Sequence, residues 1–262
     1  MKLKPLYASL GVVILYGLWF IVPMFFKEMD PNAHGIVGIE GAMKEWRAEL
    51  ITAVVLAAIV TWLGWWKHIG FVPVEKGGVK FLIPILLIIV LILNAAWVLD
   101  ETGSWLMGFA SPMQLLGMLG VMLLLGFVEE GVFRGVLFYG FSTTFTPLFT
   151  VLGTALTFGL FHFVNIFTGA AFMDTLYQVV HAASMGFLYA SLRLRIKAIW
   201  PLMILHALWD FSFFTLQTVT HPNAGEAVTT VAMGLAISIP AIVYGIFVYW
   251  RWSVQEDRKY TF

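Results

Sequence analysis

Cysteine is absent from the 262 residues, which excludes disulfides, thiolate metal sites, cysteine nucleophiles and covalent haem attachment. Charge is scarce. Asp, Glu, Lys and Arg make up 11% of the chain, against about 25% in an average soluble domain. The 15 basic residues balance the 15 acidic ones, so no bulk field draws polyanions, and nucleic acid is excluded as a partner. Internal repeats and low-complexity tracts are missing. So is the ten-residue apolar/polar alternation of an outer-membrane barrel. What fills the chain is apolar: 60% hydrophobic and 16% aromatic residues, with a mean hydropathy of +0.89. This rules out a soluble globular enzyme and a disordered chain. It leaves an all-α polytopic membrane protein.

A spanning helix needs about 20 predominantly apolar residues. Eight stretches qualify: 8–26, 50–66, 81–99, 113–141, 146–167, 175–192, 198–217 and 228–250. Short connections make residues 1–262 a single integral membrane domain. The first stretch follows Lys2 and Lys4 as a signal peptide would, but its apolar run is too long and no small-residue cleavage site follows Phe26, so it reads as a retained span. Eleven basic residues fall on one side of the membrane: Lys2, Lys4, Lys67, Lys76, Lys80, Arg193, Arg195, Lys197, Arg251, Arg258 and Lys259. Only Lys27, Lys44 and Arg47 fall on the other. That bias puts both termini in the cytoplasm. The 27–49 segment is the largest extramembrane piece and reads as a solvated connector or a substrate-facing loop.

Four charged residues lie inside these stretches: Glu129, Glu130, Arg134 and Asp210. Each costs about 2.5–3.5 kcal/mol at a helix centre on insertion scales, so each needs a partner or a polar cavity. His162, His181 and His206 join them. Glu130 and Arg134 are four residues apart and share a helix face, which lets them neutralise each other. Glu129 points about 100° away and is not consumed by that pair. His206 and Asp210 also share a face. Counting along each helix from its cytoplasmic end, Glu129 lies about 18 Å in, His162 about 21 Å, and His206 and Asp210 about 14 and 20 Å. These levels permit one shared site. Gly131 and Gly135 form a Gly-x-x-x-Gly patch, and Gly159 sits near His162, so close helix approach is expected.

A carboxylate, two histidines and an aspartate in a low-dielectric pocket suit acid–base work. Glu129 can take a proton from a water attacking a carbonyl, and a histidine can stabilise the oxyanion. Competing hydrolase signatures are missing. There is no His-Glu-x-x-His, no Gly-x-Ser-x-Gly, and no Gly-x-Gly-Asp or rhomboid-like Gly-x-Ser-Gly. The same four residues also make an O/N ligand set for zinc, so Glu129, His162, His206 and Asp210 stand as alternative metal ligands.

In order, Glu-Glu-x-x-x-Arg (129–134), Phe-x-x-x-His (158–162) and His-x-x-x-Asp (206–210) resemble the CAAX protease and bacteriocin-processing (CPBP, Abi) family. These are intramembrane glutamate proteases related to the eukaryotic CAAX prenyl endopeptidases. The resemblance covers about 113–217, two-fifths of the chain. It implies that Glu129 activates water with His162 assisting, that Glu130 and Arg134 support Glu129, and that His206 and Asp210 form the oxyanion site. The last position is often Asn in that family. An ionised aspartate cannot donate to an oxyanion, so Asp210 is expected to orient a charged His206 instead. The resemblance implies no cofactor, a membrane-embedded or lipid-anchored peptide substrate, and the lipid bilayer as surroundings, with a prokaryotic inner membrane as the expected location.

Two other functions use the same residues. Buried Glu, Asp and His also build proton relays, as in a proton-coupled transporter or channel. A non-catalytic scaffold or immunity protein would keep them for packing. Among the remaining polar residues, His181 reads as a satisfied core histidine, His34, His68 and His221 as loop residues, and Asp174 as a helix cap. Trp46, Trp65, Trp66, Trp105, Trp200, Trp250 and Trp252 read as an interfacial belt.

Overall fold

A computed structural model describes residues 4–24, 46–101, 106, 108–220 and 227–259. Helix is the only regular structure among them. Its long helices are α1 (Pro5–Met24), α2 (Trp46–Leu63), α3 (Ile83–Leu99) and α4 (Pro112–Glu130). A π-helical turn (Gly131–Leu137) then runs into the short α5 (Phe138–Ser142). Helix α6 (Pro147–Phe161) passes into a 3-10 turn (His162–Thr168), and α7 (Phe172–Ile196), α8 (Trp200–Thr220) and α9 (Ala227–Lys259) complete the chain.

The helix starts are written in the sequence. Ser111 caps α4, accepting from Gln114 N at 3.2 Å, while the Gln114 side chain accepts from Ala110 N at 2.6 Å. Pro112 in the first turn adds a preset φ. Thr146 caps α6 by accepting from Phe149 N, with Pro147 in its first turn. Asp174 is not the cap expected of it: Ala171 holds that position without a side-chain bond, and Asp174 lies in the first turn of α7, where its charge complements the helix dipole.

All eight expected spans coincide with helices, and among the described residues seven helical segments are long and apolar enough to cross a membrane. The exception is α7, which carries Asp174, Arg193 and Arg195 and is enclosed over its C-terminal half. It packs against α6 and α9, and Ala190, Ser191, Leu192 and Ile196 are fully buried. Its first turns stay open, with Phe172, Met173 and Val180 exposed, and the enclosed C-terminal half does not need a lipid-compatible exterior.

Lipid is as apolar as leucine, so helix association in a bilayer depends on close packing. Glycines supply it here. A Cβ on Gly126 would lie 2.5 Å from Met203 O of α8, one on Gly131 2.7 Å from Leu56 Cδ2 of α2, and one on Gly159 2.7 Å from Ala183 Cβ of α7. The Gly-x-x-x-Gly patch thus marks a real approach, but one spread over two partners, since Gly135 faces Ile199 and Ile69 instead.

The end of the bundle that carries most of the Lys and Arg is closed. The segment between α2 and α3 folds back onto the α7–α8 corner: Glu75 N donates to Ile196 O at 2.8 Å, and Ile199 N donates to Gly70 O at 2.9 Å. Ile69, Ile196, Ala198 and Ile199 are buried beneath these bonds. Arg193 donates to Lys197 O at 2.5 Å, and Lys197 pairs with Glu75 at 3.2 Å.

Several expectations change. Helix α2 begins at Trp46, so Arg47 and Glu49 are helical rather than loop residues, and Glu49 is buried. The rest of the 27–49 segment, with His34, lies outside the described residues, as do Trp105 and His221. Arg193 and Arg195 are buried in α7. Trp65 leaves the interfacial belt: it is 9% exposed and packs edge-on against Tyr139 at 5.0 Å. His181 is a satisfied core residue, with Nδ1 3.2 Å from Ser238 Oγ and its ring stacked on Trp209.

Candidate active site

Helix α4 delivers Glu129 and Glu130 on its last turn, immediately before the chain changes to π geometry. A π turn widens the helix by one residue per turn and often accompanies functional sites. Here it begins at Gly131, whose missing side chain also admits Leu56. Arg134, inside the π turn, reaches back so that Nη1 donates to Glu130 Oε1 at 2.9 Å; their side chains are 1% and 0% exposed. The expected i,i+4 pair is therefore present and fully desolvated.

Helix α8 brings His206 to the same carboxylate. His206 Nδ1 lies 2.8 Å from Glu130 Oε1. On the other side of the ring, Nε2 lies 3.3 Å from Asp210 Oδ2 and 3.5 Å from Glu129 Oε2. Three carboxylates thus surround one imidazole, and Arg134 balances the innermost. The intrahelical pairings follow from spacing. The link from Glu130 to His206, across 76 positions, does not.

Phe158 is the wall they share. Arg134 Cζ sits 3.9 Å from its ring centroid, His162 meets it edge-on at 4.9 Å, and His206 edge-on at 6.2 Å. The Phe-x-x-x-His spacing therefore packs one ring against both histidines and the arginine. His162 is not in mid-helix as the uninterrupted 146–167 span implied. It caps the C-terminus of α6 and opens the 3-10 turn. Its Nδ1 lies 2.9 Å from Phe158 O. A neutral ring that donates there presents Nε2 as an acceptor. His162 also lies within electrostatic range of His206 and Asp210.

Three residues escaped sequence reading. Tyr189 of α7 places its ring edge-on to His206 at 5.9 Å and within 5.7 Å of the Arg134 guanidinium. Tyr16 of α1 is buried, stacks on Phe161 at 4.8 Å, and lies within electrostatic range of Glu129 and Glu49. Glu49, on the buried stripe of α2 with Ala53 and Leu56, is within range of Glu129 too. A tyrosine inside an apolar span is a weak signal, because its ring alone justifies burial. Glu49 was obscured by reading the helix start four residues late.

Exposure grades along the site. Side chains of Glu130 and Arg134 are sealed, those of His206 and Glu129 are 11% and 12% exposed, and that of Asp210 is 22% exposed. Asp210, the most exposed of them, lies one turn further than His206 from the closed α7–α8 corner. Asn165 donates to Gln178 Oε1 at 2.8 Å, which places a polar pair three residues beyond His162 on the same 3-10 turn. As for the alternative zinc ligands, no three or more His, Asp or Glu side chains among the described residues are grouped so as to hold a metal ion.

Residues 111–212 match the family model of the Rce1-like, type II CAAX prenyl endopeptidases, the group that the three motifs resemble. The matched segment contains Glu129, Glu130, Arg134, His162, His206 and Asp210. No curated protein and no solved structure matches the chain.

Proposed function

We propose that this chain is an intramembrane endopeptidase that hydrolyses a peptide bond of a membrane-embedded or lipid-anchored substrate with a water activated by Glu129. The observation that carries the reading is the arrangement of Glu129 and Asp210 around His206 Nε2, at 3.5 and 3.3 Å, at the solvent-graded edge of an otherwise sealed charge cluster. Glu129 accepts a proton from water as the oxygen attacks the carbonyl carbon. The His162 Nε2 lone pair accepts from the other water hydrogen and fixes its position. The His206 Nε2–H donates to the oxyanion as it forms, while Glu130 holds Nδ1–H and Asp210 keeps the ring oriented. Collapse of the tetrahedral intermediate breaks the C–N bond, and the proton held by Glu129 passes to the leaving amine. General-base action contributes about 10²–10⁴ in rate, and an oxyanion donor about 10²–10³.

Glu130 and Arg134 act through position. Arg134 offsets one carboxylate, so Glu129 sits beside a compensated pair instead of a second bare negative charge. Substrate reaches the cluster from the end opposite the closed Lys/Arg-rich corner. With both termini in the cytoplasm, as the basic-residue bias places them, that is the non-cytoplasmic side. The test is cleavage of a panel of transmembrane and lipid-anchored peptides by the protein in liposomes, with products mapped by mass spectrometry. Cleavage that disappears in Glu129→Gln is the expected result. Equal cleavage by that variant overturns the assignment.

A further inference from the structure

Away from the acidic cluster, at the Lys/Arg-rich end, a cavity of about 230 Å3 is lined by Phe81, Arg195, Arg251, Val254 and Gln255. No residue of the candidate active site borders it. Arg195 is only 8% exposed, and its Nε has no hydrogen-bond partner among the described residues. Among the described residues neither Arg195 nor Arg251 forms an ion pair. Arg134, 1% exposed, has its carboxylate. A buried guanidinium N–H without a partner is costly, and a lining with two guanidinium groups and no carboxylate suits a negative occupant.

The shape of the lining narrows the chemistry. The Arg195 guanidinium lies 4.8 Å over the Phe81 ring, which orients its fork, and Lys80 Nζ lies 5.5 Å from the same ring. Two guanidinium groups and an amide in the lining suit the several oxygens of a phosphate. Phe81 and Val254 are its apolar members. Phe81 continues to Phe247 at 6.4 Å, and Phe247, Trp250 and Ile83 expose apolar surface beyond it. A lining that joins two guanidinium groups to apolar residues, with exposed apolar surface beside it, matches an amphiphile, and the Lys/Arg-rich end of the bundle is where lipid headgroups lie.

We propose that the cavity is a phosphate-binding site that holds the headgroup of an anionic phospholipid from the surrounding bilayer, with its acyl chains running over Phe247. The test uses the full-length protein in detergent, with retained lipid read by native mass spectrometry and melting temperature read in parallel. Phosphatidylglycerol, phosphatidylcholine and inorganic phosphate are added separately. One phosphatidylglycerol should be retained at least about tenfold more tightly than phosphatidylcholine and should raise the melting temperature. Arg251→Gln, at an exposed position, should remove most of that preference. Arg195→Lys, which keeps the charge and loses the fork, should weaken it. Equal retention of the two lipids, or an unchanged preference in Arg251→Gln, overturns the proposal. Stabilisation by inorganic phosphate equal to that by phosphatidylglycerol overturns the lipid assignment and leaves a site for a soluble phosphate.

Discussion

The protein buries arginine at two levels of the same bundle and treats it differently at each. At the acidic cluster, Arg134 meets Glu130 at 2.9 Å and His206 joins the same oxygen at 2.8 Å. At the α7–α8 corner, Arg193 bonds the carbonyl oxygens of Lys197 and His68, at 2.5 and 3.5 Å. Carbonyl partners fasten one loop to another and are chemically inert. Carboxylate partners can exchange protons with a bound water, and here they run from the sealed Glu130 to the more exposed Asp210. Burial of charge alone therefore does not identify an active site; the nature of the partner does.

Substitutions should separate the two levels. The largest effect is expected from Arg134→Met. It leaves Glu130 buried without its cation, a loss of about 3–5 kcal/mol, and it should remove activity together with stability. Glu130→Gln added to Arg134→Met should recover part of the melting temperature and none of the cleavage. Recovery of both would make the pair purely structural.

Next is Gly70→Ala at the closed corner. Gly70 has φ +105°, and a Cβ there would lie 2.5 Å from Arg193 Nη2. A strained backbone and a displaced guanidinium should cost about 2–3 kcal/mol, read as a lower melting temperature with kcat unchanged at permissive temperature. A fall in kcat would couple the corner to the chemistry and blur the comparison.

Asp210→Asn should matter less. An amide at this position still orients His206 and can itself donate to an oxyanion. Cleavage should stay within about tenfold of the parent, a change worth about 1.4 kcal/mol in the barrier. A loss of a thousandfold would make the Asp210 carboxylate a direct participant.

The smallest perturbation tests direction of access. The chain has no cysteine, so Gln178→Cys or Lys197→Cys introduces the only thiol that can be labelled. A membrane-impermeant maleimide added to intact cells should label the first and not the second. The opposite pattern would invert the bundle and place the opening on the cytoplasmic side.

Much of this was legible in the sequence, for definite reasons. Charged residues in apolar runs are costly enough to stand out, which is how Glu129, Glu130, Arg134 and Asp210 emerged. The i,i+4 rule then paired Glu130 with Arg134 and His206 with Asp210. What it could not supply was contact between helices: nothing in the spacing joins His206 to Glu130, or seats Arg134 on Phe158. The π turn was hidden because Gly-Val-Phe-Arg-Gly-Val-Leu reads equally well as ordinary helix. Enclosure of α7 concealed Arg193 and Arg195, since basic residues at a span end normally reach for the interface. Trp65 was misplaced by the same habit, because an aromatic near a helix end fits a belt until a folded-back loop covers it.

The central claim is that Glu129 performs the chemistry while the arginine corner only holds the frame. The most direct measurement compares single-turnover cleavage of one membrane peptide by the parent protein, Glu129→Gln and Arg193→Met in the same liposomes, with melting temperatures alongside. The account predicts a fall of about 10³-fold or more for Glu129→Gln at an unchanged melting temperature, and a near-parental rate at a lowered melting temperature for Arg193→Met. A Glu129→Gln protein that cleaves at the parental rate would contradict it.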